Sequence, residues 1–154
     1  MKISTICFPV RNGKVILANK KIDFGEGLLN GYGGKFKPED VTVEVTAVRE
    51  LFEEGKVVAL PNKLERVAII DFFRADTQIF ECHVFFCHEW SGELIETDEM
   101  GPPMLFDVNN LPFDRMWGAD KVWLPLVFSG KIIRAICRYN PEMKNVIEFK
   151  YEQL

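Results

Sequence analysis

Little in this chain favours a zinc centre, a disulfide framework or a membrane anchor. Its four cysteines, Cys7, Cys82, Cys87 and Cys137, form no CxxC pair and lie in apolar, strand-like stretches, the pattern of buried free thiols in a reducing cytoplasm. There are only two histidines, in Cys82-His83 and Cys87-His88. On a strand, Cys82 and His88 share one face while His83 and Cys87 share the other, which argues against zinc and leaves the histidines as ordinary strand residues. No apolar run reaches the ~20 residues that span a bilayer. The first ten residues, MKISTICFPV, carry one Lys and no long apolar segment, so they do not read as a signal peptide. Basic residues are outnumbered, 19 against 23 acidic, for a net charge of −4. That balance argues against a basic face for long nucleic acid. It leaves room for a small anionic substrate, because a bound cation inverts the field locally. A cytoplasmic chain with no membrane contact, acting as a monomer, is the expectation.

At 154 residues the chain is expected to form one domain, 1–154, burying about two-thirds of its unfolded surface. Its 47% hydrophobic and 27% charged fractions are ordinary for a globular protein. Residues 2–10 and 14–20 read as strands, joined by Arg11-Asn12-Gly13-Lys14 with its Asn-Gly hairpin signal. Residues 22–40 hold five glycines (25, 27, 31, 33 and 34), which marks a loop able to approach a ligand closely. A helix is predicted from Val41 to Glu54, capped by Asp40 or Thr42 and closed by Gly55. Its core stripe is read as Val41, Val45, Val48 and Phe52, with Glu44, Glu50 and Glu54 away from it. Strands follow at 64–74, 78–88 and 104–108, with an acidic loop from Glu93 to Glu99 and Gly101-Pro102-Pro103 before the last. A second helix is read over Asp120–Phe128 despite Pro125, then strands at about 131–138 and 145–151. This order predicts an α+β fold, a mixed sheet with helices packed on it.

Arg49-Glu50-Leu51-Phe52-Glu53-Glu54 follows Gly33-Gly34-Lys35 by some fifteen residues and carries the chemistry. On a helix, Glu50, Glu53 and Glu54 fall at i, i+3 and i+4, roughly 5–6 Å apart. Three such charges repel unless a hard cation such as Mg²⁺ joins them, and Mg²⁺ commonly bridges carboxylates to phosphate oxygens. A solvated acidic face is the ordinary alternative.

These residues resemble the Nudix box, G-x5-E-x7-R-E-U-x-E-E-x-G-U with U aliphatic, and the core REUxEE is complete. Two departures stand out. The stretch from Gly34 to Arg49 is one residue longer than the pattern, and the residue expected between Glu54 and Gly55 is missing. The first Glu of the box aligns with Asp40, or with Glu39 if the extra residue lies earlier. Over most of its length the chain looks like the MutT-related subgroup that hydrolyses oxidised purine nucleoside triphosphates (8-oxo-dGTP diphosphatase type).

That resemblance implies a Nudix fold, a mixed sheet sandwiched by helices, and a small-molecule nucleotide substrate cleaved at a phosphoanhydride to nucleoside monophosphate and pyrophosphate. It implies one to three Mg²⁺ ions, with Mn²⁺ as an alternative, held by Glu50, Glu53, Glu54, Glu99 and the Gly33 carbonyl. Glu53 or Glu54 becomes the general base, and Arg49 orients the carboxylates. Thr5, Lys20, Asn30, Tyr32, Gly33, Gly34 and Lys35 fall where the subgroup places nucleotide contacts. Trp117 is implied to stack on the base and Asp120 to read its edge, while Ala119 stands where a second acid is common and Leu29 where a Trp is. The plainer explanations are a surface charge for Glu99, core packing for Trp117, a helix cap for Asp120 and a turn for Asn30. The alternatives in function are the same chemistry on a nucleotide sugar or capped RNA end, or a non-catalytic nucleotide-sensing module.

Overall fold

The computed structural model describes residues 2–154. Its strands are β1 (Lys2–Arg11), β2 (Lys14–Asn19), β3 (Leu29–Asn30), β4 (Tyr32–Lys35), β5 (Glu65–Arg74), β6 (Thr77–Cys87), β7 (Met104–Asp107), β8 (Ile133–Tyr139) and β9 (Val146–Gln153). The helices are α1 (Val43–Gly55) and α2 (Asp120–Phe128). The sheet runs β3-β2-β1-β6-β5-β8-β9, with β4 paired to β1 and β7 to β2. The pairs β1–β6 and β5–β8 are parallel and the other pairs antiparallel, so the sheet is mixed as expected. Asn12 and Gly13 both have positive φ, 55° and 73°, which matches the twist of the β1–β2 hairpin.

The central strands are buried on both faces, and alternation along them sends neighbours into two cores. Cys7, Phe85 and Cys87 pack with Ala47, Leu51 and Tyr32 on the α1 side. Phe8, Val84 and Phe86 pack with Trp123, Leu124 and Val127 on the α2 side. The helices therefore sandwich the sheet. All four cysteines are buried and free. No helix among the described residues is long and apolar enough to cross a membrane.

Three expectations change. The 22–40 segment is not all loop: β4 lies within it and pairs with β1, bringing Gly33 opposite Ile6 and Gly34 opposite Thr5. The glycines there serve close approach to the protein itself. A Cβ on Gly33 would stand 1.9 Å from the Thr5 carbonyl oxygen, and one on Gly34 2.5 Å from the Glu50 carboxyl carbon. The α1 stripe is also different. Val41 is 80% exposed and Phe52 49% exposed, whereas Thr46, Ala47, Glu50, Leu51 and Glu54 are buried. The stripe read from periodicity lies far around the helix from the buried face because it assigns the glutamates to water, whereas two of them face β4. Finally, α1 begins at Val43, with the Thr42 side chain accepting the Val45 N–H at 3.2 Å.

Both departures from the box pattern acquire a structural reason. The six residues Lys35–Asp40 match the spacing from Gly34 to the first acid, so the additional residue follows Asp40. It is absorbed at Val41, whose φ of 67° and ψ of −46° form a tight γ-turn, with the Thr42 N–H donating to the Asp40 carbonyl at 2.7 Å. Nothing is missing after Glu54. Lys56, not Gly55, takes the left-handed conformation (φ 64°) at the end of α1, so Lys56 stands in the place of the box glycine. Gly55 is held for room, since a Cβ there would meet a Leu94 methyl at 2.6 Å. A β-branched residue at positive φ is strained, and Val41 has no packing to lose. Val41→Gly is expected to stabilise the protein by about 1 kcal/mol, roughly a 2–4 °C rise in Tm by calorimetry. An unchanged or lower Tm would contradict the strain.

Candidate active site

The site forms where α1 crosses the β1–β4 ladder and the 93–100 loop folds back over it. Phe36 N–H donates to Ile3 carbonyl in that ladder, so alternate residues of β4 pair with β1. Gly33 falls between them, and both its N–H and its carbonyl point away from β1 toward α1. The Gly33 N–H donates to Glu54 Oε1 at 2.9 Å. Lys20, at the end of β2, reaches the other oxygen of Glu54 at 3.4 Å. Burial pushes the Glu54 carboxyl up to about 7 against the pull of Lys20, and burial also raises Glu50.

Glu50, Glu54 and Glu99 each offer a carboxylate oxygen within 4.8 Å of the others. Such a set of hard, like-charged donors, Glu50 and Glu54 buried and Glu99 half-buried, fits a divalent cation, whose charge offsets the desolvation that raises Glu50 and Glu54. Glu99 comes from the acidic loop, which Thr97 fixes to α1: its hydroxyl donates to the Glu54 carbonyl at 2.9 Å and accepts the Glu99 N–H at 3.3 Å. Glu53 does not join the set. It lies on the exposed side of α1, 3.3 Å from Arg49 Nη1, and lines a cleft of about 490 Å³ with Lys56, Thr97, Asp98 and Glu99. The single acidic face read from i, i+3, i+4 spacing is thus split into two buried carboxylates and one facing solvent.

Arg49 is the strut of this arrangement. It meets Asp40 through Nε at 2.9 Å and Nη2 at 3.0 Å, Glu50 through Nη1 at 2.8 Å, and the Lys35 carbonyl at 3.2 Å. The guanidinium holds the Asp40 carboxyl down at about 2, and Asp40 raises Arg49 in turn. Asp40, rather than exposed Glu39, therefore occupies the place of the box's first acid.

The nucleotide-contact candidates are scattered more widely. Thr5 is buried on β1, its hydroxyl 3.5 Å from the Gly34 carbonyl. The Asn30 side chain accepts the Gly31 N–H at 2.8 Å. Tyr32 is wholly enclosed in the α1-side core, its hydroxyl without a hydrogen-bond partner, so its side chain is removed from contact with any substrate. The Lys35 side chain is exposed. Leu29 is fully buried core.

Trp117 and Asp120 sit on the α2 side of the sheet. Asp120 is buried, with Oδ1 accepting the Trp123 indole N–H at 3.1 Å and Oδ2 unpartnered. Burial pushes its carboxyl up to about 7. Tyr139 positions the turn before α2: its hydroxyl accepts the Ala119 N–H at 2.9 Å and its ring meets Trp117 edge-on at 5.8 Å. Phe24 stacks on Trp117 at 4.9 Å and 22°. Phe24, Thr97 and Tyr139 carried no signal in residue type or spacing, since each acts through a partner distant in sequence.

Residues 1–127 match the NUDIX domain family. The chain is 37% identical over 131 residues to the oxidized purine nucleoside triphosphate hydrolase of Danio rerio, covering 84% of this chain and 81% of that one. It is 33% identical to the Mus musculus protein of the same name, with the same coverage. Among solved structures it resembles the mutator MutT protein of Bacillus halodurans, with a TM-score of 0.81 at 19% identity over 99% of this chain and 98% of that one. With a MutT NUDIX hydrolase from Burkholderia pseudomallei the TM-score is 0.68 at 23% identity, over 80% and 95%. The likenesses to these two structures are of fold alone. The family match and the curated relatives place the chain in the NUDIX family of hydrolases.

Proposed function

We propose that this hydrolase cleaves a phosphoanhydride of oxidised purine nucleoside triphosphates in a Mg²⁺-dependent reaction, releasing nucleoside monophosphate and pyrophosphate. The observation that carries the chemistry is the convergence of Glu50, Glu54 and Glu99 within 4.8 Å beside an open acidic cleft. The purine substrate rests on the names of the two curated relatives and on the Trp117–Asp120 pair.

Glu50, Glu54 and Glu99 would hold Mg²⁺, with the outward Gly33 carbonyl as a further donor. The ion would supply charge neutralisation for the polyphosphate and acidify a water. Arg49 keeps Glu50 and Asp40 in place so that the donor oxygens are arranged before substrate arrives. Lys20 holds Glu54 from the side facing β2. Glu53, free of burial at the cleft rim, accepts the proton from the attacking water. At the other end, Trp117 offers its π-face to the base once the Phe24 ring moves aside. Asp120, raised by burial to about 7, donates in its protonated form from its unpartnered oxygen to an acceptor on the base edge. The buried free thiols suit a reducing cytoplasm.

Ala119 favours a second reading, the same chemistry on another nucleoside diphosphate derivative. Its N–H is already taken by Tyr139, and it offers no acid to the base edge. A panel of normal and oxidised dNTPs, nucleotide sugars and dinucleotides with Mg²⁺ separates the two. Oxidised purine triphosphates are expected to give kcat/KM roughly five- to tenfold above their undamaged counterparts, because one neutral hydrogen bond in a buried site is worth about 1 kcal/mol. Pyrophosphate release confined to undamaged pyrimidine triphosphates would sink the purine reading.

A further inference from the structure

The third carboxylate of the acid set is carried by a stretch with little regular structure to hold it. Residues 93–99 form no strand or helix, and four of the seven, Glu93, Glu96, Asp98 and Glu99, are acidic. Such charges repel one another and repel Glu50 and Glu54, which drives the stretch toward solvent unless a cation opposes it. Among the described residues the stretch makes a single ion pair, between the Lys21 ammonium and Glu96 at 2.6 Å. The same ammonium donates to the Thr97 carbonyl at 2.8 Å, and the Lys21 N–H donates to the Glu99 carbonyl at 2.9 Å. Thr97 relays that grip. Its N–H donates to the Met100 carbonyl at 2.9 Å, and its hydroxyl accepts the Glu99 and Met100 N–H groups at 3.3 Å while donating to the Glu54 carbonyl. Neighbouring Lys20 differs, because its ammonium meets the Glu54 carboxylate itself.

We propose that Lys21 is a positioning residue for the metal site, clasping the turn at Glu96 and Thr97 against the segment after β2 so that Glu99 stays in reach of Glu50 and Glu54. The proposal rests on the reading of those three carboxylates as a cation site. An ammonium near such a site acts in two opposed ways. Its charge repels the incoming ion, so its removal tightens binding. Its hydrogen bonds hold a ligand in place, so its removal loosens binding. At Lys21 the second effect is the larger. The side chains of Lys21 and Glu96 are 37% and 51% exposed, so water and the Glu96 carboxylate screen the charge. The grip on Thr97 is not screened in this way, because it acts through the position of the chain. Lys56 provides the contrast: it lines the same cleft, but its ammonium sits over the Phe52 ring at 5.4 Å and not on the acidic stretch. At Lys56 only the repulsion operates.

Mn²⁺ binding to the nucleotide-free protein, followed by electron paramagnetic resonance, tests this by its sign. Lys21→Met is expected to raise the Mn²⁺ dissociation constant roughly tenfold, the size usual when a group that orients a metal ligand is lost. Lys56→Met should leave that constant unchanged or lower it. Lys21→Arg, which keeps both charge and donors, should recover most of the loss. With a chelator present, amide hydrogen exchange in Lys21→Met should quicken at Thr97 and Glu99 and not at Leu51 within α1, the pattern of a loosened loop on an intact fold. Mn²⁺ bound by Lys21→Met as tightly as by the parent, or a loss that Lys56→Met matches or Lys21→Arg does not recover, would overturn the proposal and leave the cation site standing. A parent protein that binds no Mn²⁺ would overturn both.

Discussion

Replacing Glu54 by glutamine is expected to reduce hydrolysis at least about 100-fold while leaving the fold intact. The amide keeps an oxygen for the Gly33 N–H but loses the charge that faces Lys20 and completes the Glu50–Glu54–Glu99 set. The stability change runs the other way. Burial is the main reason that Glu54 titrates at about 7 rather than at its ordinary 4.5. A carboxyl raised in the folded state stabilises fully below pH 4.5 and loses that contribution as pH climbs through about 7. With a chelator present, the Glu54→Gln protein should therefore be no less stable than the parent at pH 8, and its stability should fall less between pH 4.5 and 7. Adding Mg²⁺ should then raise the Tm of the parent and not that of the variant, because only a ligand bound to the native state shifts the equilibrium. Full activity in the variant, or an equal Mg²⁺ shift in both proteins, would remove Glu54 from the metal site.

Gly33→Ala has the larger effect on the fold. A methyl group at this position would stand 1.9 Å from the Thr5 carbonyl oxygen and 2.9 Å from the Ile6 Cα, both backbone atoms of β1. No side chain can swing away to make room, so β4 must part from β1. A loss of about 3 kcal/mol or more is expected, at the upper end of overpacking changes, with Tm falling by roughly 10 °C for a chain of this size. Activity should fall with it at temperatures where the variant remains folded, since the Gly33 N–H that anchors Glu54 moves with the strand. A variant with parental Tm and activity would show that the β1–β4 contact is softer than its geometry implies.

The two variants probe different readings of one motif. From spacing alone, Gly33 and Gly34 read as a loop that lets backbone approach a ligand, and the three glutamates read as one acidic face. In the folded chain, the glycines let β4 approach β1 and the Glu50 carboxyl, and that approach buries two glutamates while leaving Glu53 outside. The α1 stripe shifts for the same reason. Periodicity sorts residues by polarity, and a helix that buries carboxylates for function presents its apolar residues out of phase with its true inner face. Phe52 and Val41 have the polarity of core residues, yet Thr46, Ala47 and Leu51 are the ones buried.

Local features were legible from residue order. The Asn-Gly hairpin, the two long helices, the alternating strands and the buried cysteines follow from backbone preference and from apolar period, which act over a few residues. The REUxEE core pointed to the hydrolase family and, with the acidic Glu96–Glu99 run, to carboxylates that a cation would reconcile. Tertiary structure decided what distance in sequence concealed. It brought Glu99 to Glu50 and Glu54, seated Arg49 on Asp40, placed Phe24 on Trp117 and tied Ala119 to Tyr139. It also moved the box glycine's role to Lys56 and left the outer edge of β9 unpaired. Composition and period record which residues prefer burial; only packing determines which partners they meet, and the acid set, the Trp117 cluster and the open edge are all made of such meetings.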